Sequence, residues 1–117
     1  MGQKILVIDD DPSICDAFSS ALEEIGYDVF TAFSGEKGVE KAKAEMFDLI
    51  YLDLKMPGID GAQALRMIRQ FNKTVPVYIV TAFHHEFFDS LESIKKDGIH
   101  FELLKKPLER EQIQNIE

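Results

Sequence analysis

Lys4-Ile5-Leu6-Val7-Ile8-Asp9-Asp10-Asp11-Pro12 carries the reading that decides the fold. Residues 4–8 are apolar without alternation, as in a strand covered on both faces rather than one facing water. The change to Asp-Pro then predicts a helix start, with Asp11 as N-cap and Pro12 in the first turn, where its missing N–H costs nothing. The acidic run suits the positive end of the helix dipole. Ile14, Ala17, Phe18, Ala21, Leu22 and Ile25 follow at three- and four-residue steps and predict one buried stripe. Gly26 closes the helix.

The same alternation of strand and helix continues outward from this unit. Tyr27 to Ala32 predicts a second strand, more mixed and therefore at a sheet edge. Ser34 caps a helix to Ala44, with Val39, Ala42 and Met46 as its inward candidates. Phe47 to Asp53 is a third strand, and Met56-Pro57-Gly58 turns into a helix from Gly61 to Phe71 carrying Ala64, Leu65 and Ile68. Val75 to Thr81 is a fourth strand, whose early Pro76 leaves the ladder mostly intact. A helix from His85 to Lys96 follows with Phe88, Leu91 and Ile94 inward. Phe101 to Lys105 is a fifth strand, and Leu108 begins the last helix. Five βα units call for an α/β fold, a parallel sheet with helices on both faces. Ligands of such sheets sit beyond the carboxyl ends of the strands, where strand order reverses.

The strand ends supply the chemistry. The first ends in Asp9-Asp10-Asp11, the third in Asp53, the fourth in Thr81 and the fifth in Lys105-Lys106-Pro107. Carboxylates at close quarters raise one another's pKa unless a cation sits among them. An oxygen-only donor set selects a hard ion, Mg2+ or Mn2+, over zinc or copper. A hydroxyl and an ammonium opposite that ion suit an incoming phosphoryl group. Asp53 stands alone at the end of a central strand, which makes it the nucleophile that forms an acyl phosphate. The paired Asp9 and Asp10 are left to hold the metal.

The chain resembles a two-component response-regulator receiver domain over essentially its whole length. The resemblance is carried by Ile5-Leu6-Val7-Ile8-Asp9-Asp10, by Asp48-Leu49-Ile50-Tyr51-Leu52-Asp53-Leu54-Lys55-Met56-Pro57-Gly58-Ile59-Asp60-Gly61, by Val80-Thr81-Ala82 and by Lys106-Pro107. It implies a flavodoxin-like (βα)5 three-layer sandwich with a five-stranded parallel sheet in the order 2-1-3-4-5. It implies phosphorylation of Asp53, with Asp10 a direct Mg2+ ligand, Asp9 acting through a metal-bound water, and the backbone carbonyl of Lys55 a further ligand. Thr81 would then hydrogen-bond the phosphoryl group, Lys106 would pair with it, and the Lys106–Pro107 bond would be cis. The resemblance also implies a histidine kinase or histidine phosphotransfer protein as donor, and a regulatory phosphoacceptor rather than an enzyme. The readout is expected at the face of the fourth helix, fifth strand and fifth helix, where a homodimer could form.

One departure is visible. Leu103 occupies the place, three residues before the proline-adjacent lysine, where receivers carry Tyr or Phe; Phe101 lies two residues earlier on the same strand face. The segment from Gly98 is one residue longer than usual, which leaves Lys105 as the alternative to Lys106. Some residues have plainer roles: Asp11 caps, Asp60 belongs to the turn before the third helix, Cys15 is structural, and His84 and His85 are exposed loop residues. Phe83, Phe87 and Phe88 cannot all be buried at helical spacing, so at least one is expected at a partner surface. Lys55 and Phe83 are the expected influences on acyl-phosphate lifetime.

Composition is compatible with this reading. The 117 residues fit one domain, residues 1–117, with 45% apolar and 29% charged content. A formal net charge of −8 argues against direct binding of nucleic acid or an anionic membrane. The single cysteine excludes an internal disulfide and suits a reducing compartment, and the start lacks a signal-peptide pattern, so a cytoplasmic location is expected. Only ten residues follow Pro107, a short last helix for the family, so the chain is expected to be cut from a longer one with an output domain, a free-standing receiver with a separate output partner being the alternative. Three other readings are weaker. An FMN-binding flavodoxin-like electron carrier needs hydroxyls and glycines where this chain has three aspartates. A haloacid-dehalogenase-type phosphatase needs an Asp where Lys55 stands. A degenerate receiver that only binds a partner would not need the acids, Thr81 and the lysine together.

Overall fold

A computed structural model describes residues 3–82, 84–106 and 108–115. Five strands, β1 (Lys4–Ile8), β2 (Asp28–Ala32), β3 (Leu49–Asp53), β4 (Val77–Thr81) and β5 (Glu102–Lys105), alternate with α1 (Pro12–Glu24), α2 (Gly35–Ala44), α3 (Gly61–Phe71), α4 (Phe88–Lys96) and α5 (Arg110–Gln114). The strands form one parallel sheet in the order β2-β1-β3-β4-β5. A short 3-10 turn, His84–Phe87, leads into α4.

Successive side chains of a strand point to opposite faces, and this divides the core in two. Leu6, Ile8, Ile50, Leu52, Val77 and Ile79 face α2, α3 and α4, where Val39, Ala64, Leu65, Ile68, Leu91 and Ile94 meet them. Ile5, Val7, Leu49, Tyr51 and Val80 face the other way, onto Phe18, Ala21 and Leu22 of α1 and Ile113 of α5. The central β3 is buried at every position, so its continuous apolar sequence reflects two covered faces. Truncating one of these side chains to alanine typically costs about 2–5 kcal/mol.

Local chemistry starts and stops the helices. Asp11 accepts from the Ser13 N–H at 2.9 Å, and Ser34 accepts from the Lys37 N–H at 3.1 Å. Asp60 and Gln63 exchange side-chain-to-backbone hydrogen bonds at the start of α3. Gly26, at φ 100°, turns the chain out of α1 so that the Tyr27 N–H reaches the Leu22 carbonyl at 3.1 Å.

Several sequence expectations need correction. Ile25 is exposed because it is the cap residue, where the backbone leaves helical geometry and the stripe loses its phase. Ala17 is also exposed and Ile14 only half-buried. Met46 lies beyond the end of α2 and faces solvent. Phe88 is 59% exposed rather than inward, while Phe87 packs on the core together with Leu91 and Ile94. The 3-10 turn, with three residues per turn, sets this phase ahead of α4. The third to fifth strands start one or two residues later than expected, and α5 starts at Arg110 with Leu108 in the preceding loop. Phe47 precedes β3 but is still buried, edge-on to Phe30.

Candidate functional site

β1 and β3 are neighbours, but the connections that leave them run to opposite sides, so their carboxyl ends border the crevice predicted above. Asp9 is the first residue past β1 and Asp53 the last of β3. Asp9 is 4% exposed and Asp53 6%, whereas Asp10 is open to solvent. Carboxylate oxygens of Asp9, Asp10 and Asp53 all lie within 4.8 Å of one another.

Each group is fixed by its backbone setting. The Asp9 N–H donates to the Ala32 carbonyl at 3.0 Å, extending the ladder with β2 by one step, and Asp9 Oδ1 accepts from the Asp11 N–H at 3.0 Å. Beyond Asp53, Gly61 donates its N–H to the Leu54 carbonyl at 2.8 Å. A Cβ on Gly61 would collide with the Asp53 carbonyl, so only glycine lets α3 start this close to the end of β3.

Lys106 reaches the acids from the far side. Its Nζ donates to Asp9 Oδ2 at 3.0 Å and to Asp53 Oδ1 at 3.1 Å. Lys105, the alternative lysine, is exposed and pairs in register with Thr81 instead. Thr81 is buried at the end of β4, and its carbonyl accepts from the Lys106 N–H at 3.0 Å, so hydroxyl-bearing and ammonium-bearing residues are tied together.

Electrostatics follow from burial. Desolvation, reinforced by the negative charge of Asp9, pushes the Asp53 carboxyl up to a pKa of about 6, against the pull of Lys106. Burial also works against the Lys106 ammonium, but Asp53 and Asp9 more than offset it and hold its pKa above the ordinary lysine value. Cys15 lies behind the site, its Sγ donating to the Asp9 carbonyl at 3.4 Å. Burial and the nearby acids raise its thiol to about 11, which keeps it protonated and inert.

Lys55 stands in the β3–α3 loop, with its side chain turned to Glu86 at 3.3 Å, a pairing across 31 residues that no sequence pattern signals. His85 is exposed in the 3-10 turn, as expected of it. Leu103 pairs with Ile79 on the α3–α4 side of the sheet yet is 43% exposed, while Phe101 on the same side is buried. The His84 side chain, Phe83, Pro107 with its peptide bond, and Ile116 lie outside the described residues.

The family model for the response regulator receiver domain matches residues 5–116, and the chain belongs to that family. Among similar proteins, the alkaline phosphatase synthesis transcriptional regulatory protein PhoP of Bacillus subtilis is 42% identical over 74% of this chain and 36% of its own length. The transcriptional regulatory protein ZraR of Klebsiella oxytoca is 36% identical over 94% of this chain and 24% of its own. The crystal structure of the response regulator TrrA of Thermotoga maritima, in complex with Mg(2+)-BeF, superposes with a TM-score of 0.77 at 34% identity, covering 91% of this chain and 88% of that one. The chain is thus a regulatory domain of two-component signalling, a phosphorylation switch, and spans about a quarter to just over a third of the length of the two curated relatives. The electron-carrier reading falls with the family assignment. Among the described residues no helix is long and apolar enough to cross a membrane.

Proposed function

We propose that Asp53 is the phosphoacceptor, that Asp9, Asp10 and Asp53 with the Lys55 backbone carbonyl hold Mg2+ or Mn2+, and that Thr81 and Lys106 receive the phosphoryl oxygens. The reading is carried by one observation: Lys106 Nζ bridges Asp9 and Asp53 at 3.0 and 3.1 Å while the carboxylates of Asp9, Asp10 and Asp53 crowd together. Three carboxylates outnumber one ammonium, and every side-chain donor among them is a hard oxygen, so the set fits a small divalent cation. When bound, that ion supplies charge neutralisation for the phosphoryl oxygens.

The chain's own part is nucleophile and positioning. With a pKa of about 6, Asp53 is mostly ionised at pH 7 and so nucleophilic. An Asp53 oxygen forms the new O–P bond as the P–N bond of a phosphohistidine donor breaks, and the departing imidazole takes up a proton from water. Lys106, already in contact with Asp53 Oδ1, stabilises the charge that moves onto the transferred group.

The donor in this reading is a histidine kinase or a histidine phosphotransfer protein. The domain, residues 1–117, belongs to a larger protein with an output domain, as the greater length of the relatives supports. It has no turnover of its own beyond its phosphorylation and dephosphorylation. It is cytoplasmic, and its charge of −8 keeps it off nucleic acid and membranes. Exposed Phe88 and Leu103 mark the α4-β5-α5 face as the surface for readout or homodimerisation. The test is incubation with acetyl phosphate and Mg2+. A single hydroxylamine-sensitive phosphoryl mass gain is expected in the wild type and absent from Asp53→Asn. An unmodified wild type, or a gain that persists in Asp53→Asn, overturns the assignment.

A further inference from the structure

The loop between β3 and α3 is gripped from α2. Its neck is closed by the Gly61 N–H on the Leu54 carbonyl at 2.8 Å, and Leu54 and Met56 bury their side chains on either side of Lys55. Its far limb meets the first turn of α2, where Glu36 Oε2 accepts from the Ile59 N–H at 3.2 Å, across 23 residues. Gly58, at φ 80°, lets that carboxylate lie against the backbone, since a Cβ there would come within 2.6 Å of Oε2. Gly35 gives Ile59 the same clearance at the start of α2. An acid in the first turn of a helix ordinarily serves the helix dipole, and for that Glu36 would not need to reach across to another element.

Building on the reading of Asp9, Asp10, Asp53 and the Lys55 carbonyl as a divalent-metal site, we propose that Glu36 is a positioning residue for that metal: it sets the loop that presents the Lys55 carbonyl. The apolar anchors at Leu54 and Met56 fix how deep the loop sits, but such packing is non-directional and does not by itself set the tilt of the backbone. A hydrogen bond to a backbone N–H has a preferred line, and a charged acceptor strengthens it. A carbonyl ligand belongs to the chain itself, so it is placed only by placing the chain, whereas a carboxylate can change rotamer. A small divalent ion such as Mg2+ demands near-ideal octahedral geometry, so a tilted loop costs affinity. Glu36 acts on the ion through Ile59 and the loop, not by direct contact.

Mg2+ binding to the full chain, followed by NMR titration without a phosphodonor, tests this. Glu36→Ala is expected to weaken Mg2+ binding about three- to ten-fold, while Glu36→Gln, whose amide oxygen still accepts from the Ile59 N–H, should stay within about two-fold of wild type. The Ile59 amide should exchange with solvent faster in Glu36→Ala than in wild type or Glu36→Gln. Saturating Mg2+ should restore acetyl-phosphate labelling of Glu36→Ala to the wild-type level. Glu36 is exposed, so both variants are expected to fold. An unchanged Mg2+ affinity in Glu36→Ala overturns the proposal, as does an equal loss in Glu36→Gln, which would assign the effect to charge; both leave the metal reading intact. A wild type that does not bind Mg2+ overturns that reading as well.

Discussion

At the carboxyl end of the sheet Asp9 and Asp53 are buried against Lys106; at the amino end, beside the starts of β4 and β5, Arg69 is buried against backbone. Arg69 is 7% exposed, and its guanidinium donates to the carbonyls of Asn72 at 3.2 Å and His100 at 2.9 Å. It sits in the last turn of α3, where carbonyl dipoles favour a cation. These partners are fixed and uncharged, and they tie α3 to the segment entering β5. Burial lowers the Arg69 pKa, but a guanidinium stays charged regardless, so the clamp has one state. The other end matches charge with charge. Its lysine is on a flexible stem, its carboxylates exceed it in number, and the raised pKa of Asp53 records incomplete compensation. Fixed dipoles hold two nitrogens of the Arg69 guanidinium, although its buried Nε has no hydrogen-bond partner among the described residues, whereas exchangeable ions leave a site able to take a ligand.

The largest effect that would break this comparison is at the amino end. Arg69→Met leaves two carbonyls without their donors and should destabilise the fold by roughly 2–4 kcal/mol in urea unfolding, while acetyl-phosphate modification is retained. A midpoint close to wild type would mean that Arg69 is not a clamp.

The next effect lies at the acidic end and depends on pH. An acid whose folded pKa is raised favours the fold most below its unfolded value and loses that contribution as pH rises through the folded value. For Asp53 the window runs from about 3.8 to about 6. In metal-free buffer Asp53→Asn should therefore be more stable than wild type at pH 7, by on the order of 1–3 kcal/mol, with the difference shrinking toward pH 4. Melting curves across that range check it, and a difference independent of pH would show that Asp53 is not strained by its charge. The smallest effect is expected at Leu103. Because nothing covers it fully, Leu103→Ser should change stability by less than about 0.5 kcal/mol. A loss several times larger in the same melts would show that Leu103 is seated in the core.

Much of this arrangement was legible in the residues. The unbroken apolar runs gave β1 and β3, and Asp11, Ser34 and Asp60 announced their helices because capping is a local hydrogen bond between near neighbours. The acids, Thr81 and Lys106 could be assigned to one edge because parallel βα units place every strand end on the same side. Helix faces were less legible. Phe88 and Ile25 fit the period but are exposed, since the 3-10 turn and the cap residue break the phase that counting assumes.

The sequence alone therefore determined the alternation of elements, their caps and the identity of the groups at the strand ends, all of which depend on neighbours a few residues apart. Tertiary structure alone decided that Lys106 meets Asp9 across 97 residues, that Lys55 turns to Glu86, and that Arg69 closes on His100. Those pairings depend on strand order and on which faces the helices leave open, and no local periodicity encodes either.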